Sequence, residues 1–324
     1  MILQTSDPLC IARDPASLAA EWSELARRRA RPSIFLTPDW IAVARAHDAR
    51  AQLTLAIGET GVAALALEDD RTLTFAGGEL TDEQDVVASA PHAADVAERF
   101  ATWIADEDIA HAVFSYIPED VSTATTLALV LERRGYTVHV ERQVTSPRVP
   151  LQGDFDAYLG RLTKKERHEL RRKMRRLEAG RHVSFRTAEG ADIGIALDRF
   201  FALHRSSRGG KATFMTAANE RLFRDLADAL AARGWLRLGM LDVDGATAAV
   251  LYAFAYGGTL ALYNAAYDPS LSSLSVGIVS HVYALRAAID EGMHTYDLLR
   301  GDEPYKYDLG GKDHWLVRVE ARRP

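Results

Sequence analysis

Residues 300–312, RGDEPYKYDLGGK, crowd acids, phenols, lysines and glycines into a stretch too polar for a core. Asp302 and Glu303 are carboxylates able to take a proton from an attacking group, and His204 is a third candidate base. Tyr305 and Tyr307 are phenols of ordinary pKa about 10, able to return a proton to a leaving group. Lys306 offers a point cation to a phosphate or carboxylate. The segment thus suits acid–base chemistry on an anionic ligand. Its first three letters also spell the Arg-Gly-Asp adhesion tripeptide, but MILQTSDPLC at the start has neither the basic nor the apolar region of a secretion signal. A cytoplasmic setting is expected, which the lone Cys10 also fits.

Other chemistries lose their support on inspection. One cysteine excludes an intramolecular disulfide and a Cys-based metal site, and the histidines form neither HExxH nor HxH, so no metal is expected. GxGxxG and GxxxxGK[ST] are absent, and SLSVG (273–277) has serine where the first glycine of GxSxG belongs. No run of 18 apolar residues occurs, so no membrane-spanning helix is expected. A net charge of −6 gives no global reason to bind nucleic acid, DNA included.

The distribution of charge is more informative. Glu79 to Asp120 holds eleven acids against Arg99 alone, whereas Arg161 to Arg181 holds ten bases against three acids. The acidic stretch reads as solvated surface, although Asp82 and Asp85, after Gly77-Gly78, are placed to reach a cleft. In the basic stretch Phe155, Leu159, Leu162, Leu170, Met174 and Leu177 make one apolar stripe, expected to be a single helix over 154–179. Lys164, His168, Arg171 and Arg175 then share another face, with Arg167 nearby. That face is either simply solvated or an electropositive rim for a phosphorylated cofactor, an acidic glycan or RNA.

The elements that must position these groups come in a repeated order. Helices begin near Asp14-Pro15 and Thr37-Pro38, where a capping residue precedes proline. Three strands follow (52–57, 62–68, 72–76), then a helix (91–105), a strand (112–117), a helix (121–134) and a strand (136–144). The second half gives helices over 154–179, 191–207 and 217–233. Its strands are 235–243, 246–256 and 259–267, joined by Asp-Gly and Gly-Gly turns. A helix (274–291), the strand 294–299, the polar loop and the strand 314–321 close the chain. The expected fold is α/β in the α+β sense. Two tandem lobes, 1–149 and 150–324, each hold a mixed, mostly antiparallel sheet flanked by helices. In this layout the strand before the 274–291 helix splays open. The helix start LSVGIVSH then offers free N–H groups to a pyrophosphate, with Ser275 to cap or donate and Gly277 to permit close approach. The same letters also read as an ordinary serine-capped helix start.

The run LYNAAYDPSLSSLSVGIVSHVYALRAAIDEGMHTYDLLRGDEPYKYDLG (262–310) resembles the acyltransferase domain of the CelD/BcsL family. That family belongs to the GNAT acetyltransferase superfamily and is related to the FemAB peptidoglycan aminoacyltransferases. The likeness rests on Tyr263 in a strand, on Ser275-Val276-Gly277 at a helix start, and on Asp297, Gly301, Tyr305 and Lys306 as D-x-x-x-G-x-x-x-Y-K. It extends to the basic helix and to LHRSSRGG (203–210), with His204 and Arg208. Val276 stands where the family has proline, and the fuller Arg/Gln-x-x-Gly-x-Gly/Ala motif is missing.

The resemblance implies two GNAT-like lobes. It also implies direct acyl transfer from acetyl-CoA or another acyl-CoA to an amine or hydroxyl of a sugar, polysaccharide or cell-envelope precursor. Backbone N–H groups of Tyr263, Asn264 and Ala265 would polarise the acyl carbonyl. Ser275, Val276, Gly277, Ile278 and Lys306 would hold the donor. Arg208, Asp82, Asp85, Lys164 and Arg167 would meet the acceptor. Asp302, Glu303, His204, Tyr305 and Tyr307 would move protons. Two other readings stay open: a FemAB-like transferase using aminoacyl-tRNA, with tRNA as partner only in that case, and a non-catalytic interaction protein of an envelope-polysaccharide pathway, peripherally associated with envelope precursors.

Overall fold

The computed structural model describes residues 10–68, 71–207 and 213–324. The chain forms two compact units, 1–145 together with 314–324, and 146–313.

The first unit is built on an eight-stranded sheet. Its strands are β1 (Cys10–Ala12), β2 (Ala51–Ile57), β3 (Gly61–Leu67), β4 (Leu73–Phe75), β5 (Val87–Ala88), β6 (His111–Pro118) and β7 (Thr137–Thr145), with a last one from the chain's end. Thr37 caps the Pro38–Ala46 helix by accepting from the Trp40 N–H, as the Thr-Pro pair predicts. Val96, Phe100, Trp103 and Ile104 recur at helical spacing along the Ala93–Asp106 helix and are fully buried. They pack with Phe75, Phe114 and Leu127 over one sheet face.

The second unit carries β8 (Arg148–Pro150), β9 (Val183–Thr187), β10 (Leu236–Val243), β11 (Ala246–Tyr256), β12 (Thr259–Tyr267) and β13 (Thr295–Asp297). They stand in the order β8-β13-β12-β11-β10-β9. On one face lie the helices Phe155–Arg161, Lys164–Glu178 and Val276–Asp290, packed on Leu251, Ala253 and Leu260. On the other face an aromatic cluster joins Phe200 and Phe223 of the helices Asp192–Ser206 and Ala217–Ala231 to Tyr252, Phe254 and Tyr263 of the strands. Alternation does this: Leu251 and Tyr252 are neighbours on β11 and so face opposite ways.

The repeated order holds in both units. In each, an antiparallel meander is followed by a helix and a strand parallel to the last strand of the meander, β4 with β6 and β12 with β13. Several details differ from the sequence reading, beginning with the unexpected strands β1, β5, β8 and β9. The helix expected over 154–179 is two helices, because Thr163 and Glu166 form a capping box that restarts the helix after Leu162. The last strand, β14 (Trp315–Arg322), lies between β6 and β7 in the first sheet, so it belongs with the first unit and not with 150–324. In the second unit β13 has β8 at that side instead, and the division falls after Thr145 rather than after 149.

Candidate active site

β12 pairs with β13 only through Ala261, opposite Asp297. Beyond that point β12 runs on to Tyr267 without β13, which opens the edge that a parallel partner would close. The register against β11 slips between Tyr252 and Ala253, where β12 carries Tyr263 as an extra residue. Such a bulge bends and twists the strand. The expected splay is present.

A cleft of about 440 Å³ fills the opening. Ala265, Ala266 and Tyr267 of β12 form one side, and residues Ser275 to Ile278 at the start of the Val276–Asp290 helix form another. Ser275 is left-handed (φ 59°, ψ 32°) and caps no helix N–H with its side chain. The first turn's amides therefore lack intrahelical carbonyls and point out of the helix end. Val276 is fully buried among Leu177, Leu241 and Val279, so this residue anchors the helix start by its side chain. A Cβ on Gly277 would sit 3.0 Å from the Tyr267 ring, so the glycine makes room for that tyrosine.

The polar loop supplies the third wall, Glu303 and Tyr305. Asp297 is buried and accepts from Arg148 Nε at 2.6 Å, Ser146 Oγ at 3.1 Å and the Leu299 N–H at 2.9 Å, which fixes the loop's first end. Leu299 and Gly301 turn the chain with φ of 56° and 114°. Lys306, 2% exposed, fixes the other end by donating to the carbonyls of Leu299, Arg300 and Gly301 at 2.9, 2.7 and 3.2 Å. The same Nζ pairs with Glu303 at 2.9 Å. The expected cationic role of Lys306 toward a ligand gives way to this one, since its ammonium is spent within the loop. Gly301 completes the fit: a Cβ there would lie 2.5 Å from a Glu303 oxygen. Burial, with Glu303 nearby, holds the Tyr305 phenol well above its ordinary range, so it stays protonated.

Not all expected residues come together here. His204 is buried between Phe200 and Phe214, with ring centroids 5.6 and 5.5 Å away, in the aromatic cluster on the other sheet face. Tyr263 points into that cluster too. Asn264 Oδ1 accepts from the Ala265 N–H at 2.8 Å, which occupies an amide expected to polarise a carbonyl. Tyr307 donates to Asp313 at 2.7 Å, and Asp302 is solvent-exposed. Arg167 caps the preceding helix through the carbonyls of Leu159 and Gly160. Lys164 is exposed on the basic face. Asp82 and Asp85 belong to the first unit, where Asp85 is buried against Arg29 at 2.7 Å. Arg208 lies outside the described residues. No group of three His, Cys, Asp or Glu side chains among the described residues is arranged for a metal ion.

Among the cleft residues that escaped the sequence reading, two are polar groups of the Val276–Asp290 helix. Ser280 and His281 are buried in the helix and line the cleft. A single histidine in an apolar helix reads as core, and the available signal was spacing: His281 follows Gly277 by four residues and shares its face. Arg176 was not singled out either. Its Nη2 donates to Ser275 Oγ at 2.5 Å.

Residues 164–307 match the family model of an acetyltransferase (GNAT) domain. The second unit thus has a GNAT-like fold. FemX has a similar structure, with a TM-score of 0.70, 10% identity and 96% of each chain covered. A conserved protein of unknown function from Bacteroides thetaiotaomicron gives 0.68 at 13% identity, over 98% of this chain and 100% of that one. The C-terminal domain of a putative lysylphosphatidylglycerol synthetase from Agrobacterium fabrum gives 0.62 at 11% identity, over 95% and 92%. No curated protein matches the sequence. No described helix is long and apolar enough to cross a membrane.

Proposed function

We propose that this GNAT-fold protein is a cytoplasmic acyl-CoA-dependent N- or O-acyltransferase of CelD/BcsL type, using acetyl-CoA on an amine or hydroxyl of a sugar, polysaccharide or envelope precursor. The observation that carries the reading is the cleft between the open β12 edge and the free helix start, walled by one carboxylate, Glu303, and two phenols, Tyr267 and Tyr305. The helix start and Arg176 suit the donor's pyrophosphate. The acceptor's nitrogen or oxygen attacks the thioester carbon, the new C–N or C–O bond forms and the C–S bond breaks. Glu303, oriented by Lys306, takes the acceptor's proton. Tyr305, kept protonated by burial, gives one to the departing thiolate. Calorimetric titration with acetyl-CoA tests the donor. Transfer should then survive Asp302→Asn and fall about a hundredfold in Glu303→Gln and Tyr305→Phe.

A second reading, transfer from aminoacyl-tRNA, is favoured by one feature. Lys164, His168, Arg171 and Arg175 are all exposed along one helix face. Under it acetyl-CoA would leave the protein unchanged, while charged tRNA would bind with an affinity falling steeply with salt.

A further inference from the structure

We propose that His281 is a positioning residue of the cleft: held by Tyr296, it fixes the ring of Tyr305 at the cleft wall. The inference rests on the reading of Tyr305 as the group that returns a proton.

Tyr305 needs such a support. It sits on Pro304–Asp308, a five-residue helix too short to be stable by itself. Its hydroxyl makes no hydrogen bond among the described residues, so ring packing alone decides where that hydroxyl stands. One ring face is covered by the His281 imidazole, with centroids 5.1 Å apart and planes 19° from parallel. A stacked aromatic pair restricts both rings more tightly than aliphatic contact would.

His281 is itself immobilised. Its Nδ1 lies 3.0 Å from the Tyr296 hydroxyl. Tyr296 is 0% exposed in the core beside Tyr158 and Leu285, and burial keeps its phenol neutral. A buried hydroxyl is costly without a partner, so the bond sets the rotation of the imidazole about its Cβ–Cγ axis. The chain of support therefore runs from β13 through the Val276–Asp290 helix to the loop. Imidazole suits the middle position because one flat ring both bonds a buried phenol and stacks on another. A leucine would do neither. A phenylalanine would stack but strand the Tyr296 hydroxyl.

The experiment uses the full chain labelled with 3-fluorotyrosine, its Tyr305 fluorine resonance assigned by Tyr305→Phe. His281→Gln keeps a partner for Tyr296 and removes the stacking ring. The paired His281→Phe, Tyr296→Phe variant keeps a ring and removes the hydroxyl. Positioning predicts that the glutamine variant shifts the Tyr305 resonance and lets it titrate at lower pH, while the double phenylalanine variant stays close to the parent. It also predicts that thiol release from acetyl-CoA falls about tenfold or more in the glutamine variant, with the dissociation constant of CoA within about twofold of the parent and no further loss on adding Tyr305→Phe. An unmoved Tyr305 resonance in His281→Gln overturns the proposal, as do losses that multiply in the double variant. A parent that fails to bind acetyl-CoA overturns the donor assignment instead, and the fluorine spectra still decide the role of His281.

Discussion

Arg176 and Ser275 stand 99 positions apart in the chain and meet through one hydrogen bond, guanidinium Nη2 to serine Oγ at 2.5 Å. The contact brings a cation from the Lys164–Glu178 helix to the free first turn of the Val276–Asp290 helix. No carboxylate among the described residues forms an ion pair with Arg176, so its charge is uncompensated. Under the proposed function this residue supplies, from a different element, the charge that the absent Arg/Gln-x-x-Gly-x-Gly/Ala motif would carry. Arg176→Ala should weaken acetyl-CoA binding about tenfold, the worth of one charge-assisted hydrogen bond. Calorimetry at two salt concentrations should also show a shallower salt dependence than the parent.

Lys306 is the tie of the loop. Lys306→Met would leave the carbonyls of Leu299, Arg300 and Gly301 without their donor and Glu303 without its cation. Leaving these carbonyls without their charged donor costs about 1–3 kcal/mol. The melting transition of the second unit should drop by several degrees, read by calorimetry, and transfer activity should fall with it.

Gly301 gives a sharper local test. At φ 114° a side chain is strained, and a Cβ would meet the Glu303 carboxylate. Gly301→Ala should cost about 1–3 kcal/mol and displace the proposed base. The expected kinetic result is a loss in kcat larger than any change in the KM for acetyl-CoA.

Tyr307 makes a prediction about alkaline stability. Its hydrogen bond to Asp313, with burial second, pushes the phenol up to about 12. The folded value lies above the ordinary value of about 10, so the neutral form is favoured by folding. That contribution is complete below about pH 10 and is lost as pH rises through 12. Tyr307→Phe should be less stable than the parent at neutral pH, and the gap should close in denaturant titrations above pH 10.

The order of elements was legible because its punctuation is local. Asp-Gly and Gly-Gly turns mark the hairpins, and proline after Asp14 and Thr37 marks helix starts. The break at Leu162 was missed although Thr163 and Glu166 spell a capping box, since the apolar stripe continues across it. HWLVRVEA announces a strand by alternation, but alternation does not name the sheet that receives it. Glu303 and Tyr305, which line the cleft, were singled out through the polarity of their loop. Lys306 was misread for the same reason: a lysine in a polar stretch looks solvated, and only the folded loop turns three carbonyls upon it. His281 and Arg176 act through residues distant in sequence, which spacing along one chain does not reveal.

The placement of β14 has a consequence for how the protein is made. The sheet of the first unit takes its penultimate strand from Trp315–Arg322, beyond the whole of the second unit in sequence. The second unit, by contrast, is one uninterrupted segment, 146–313. A ribosome therefore releases every part of the second unit before it releases the strand that joins β6 to β7. The half translated first is the half that must wait, holding two unpaired strand edges until residues 315–322 emerge.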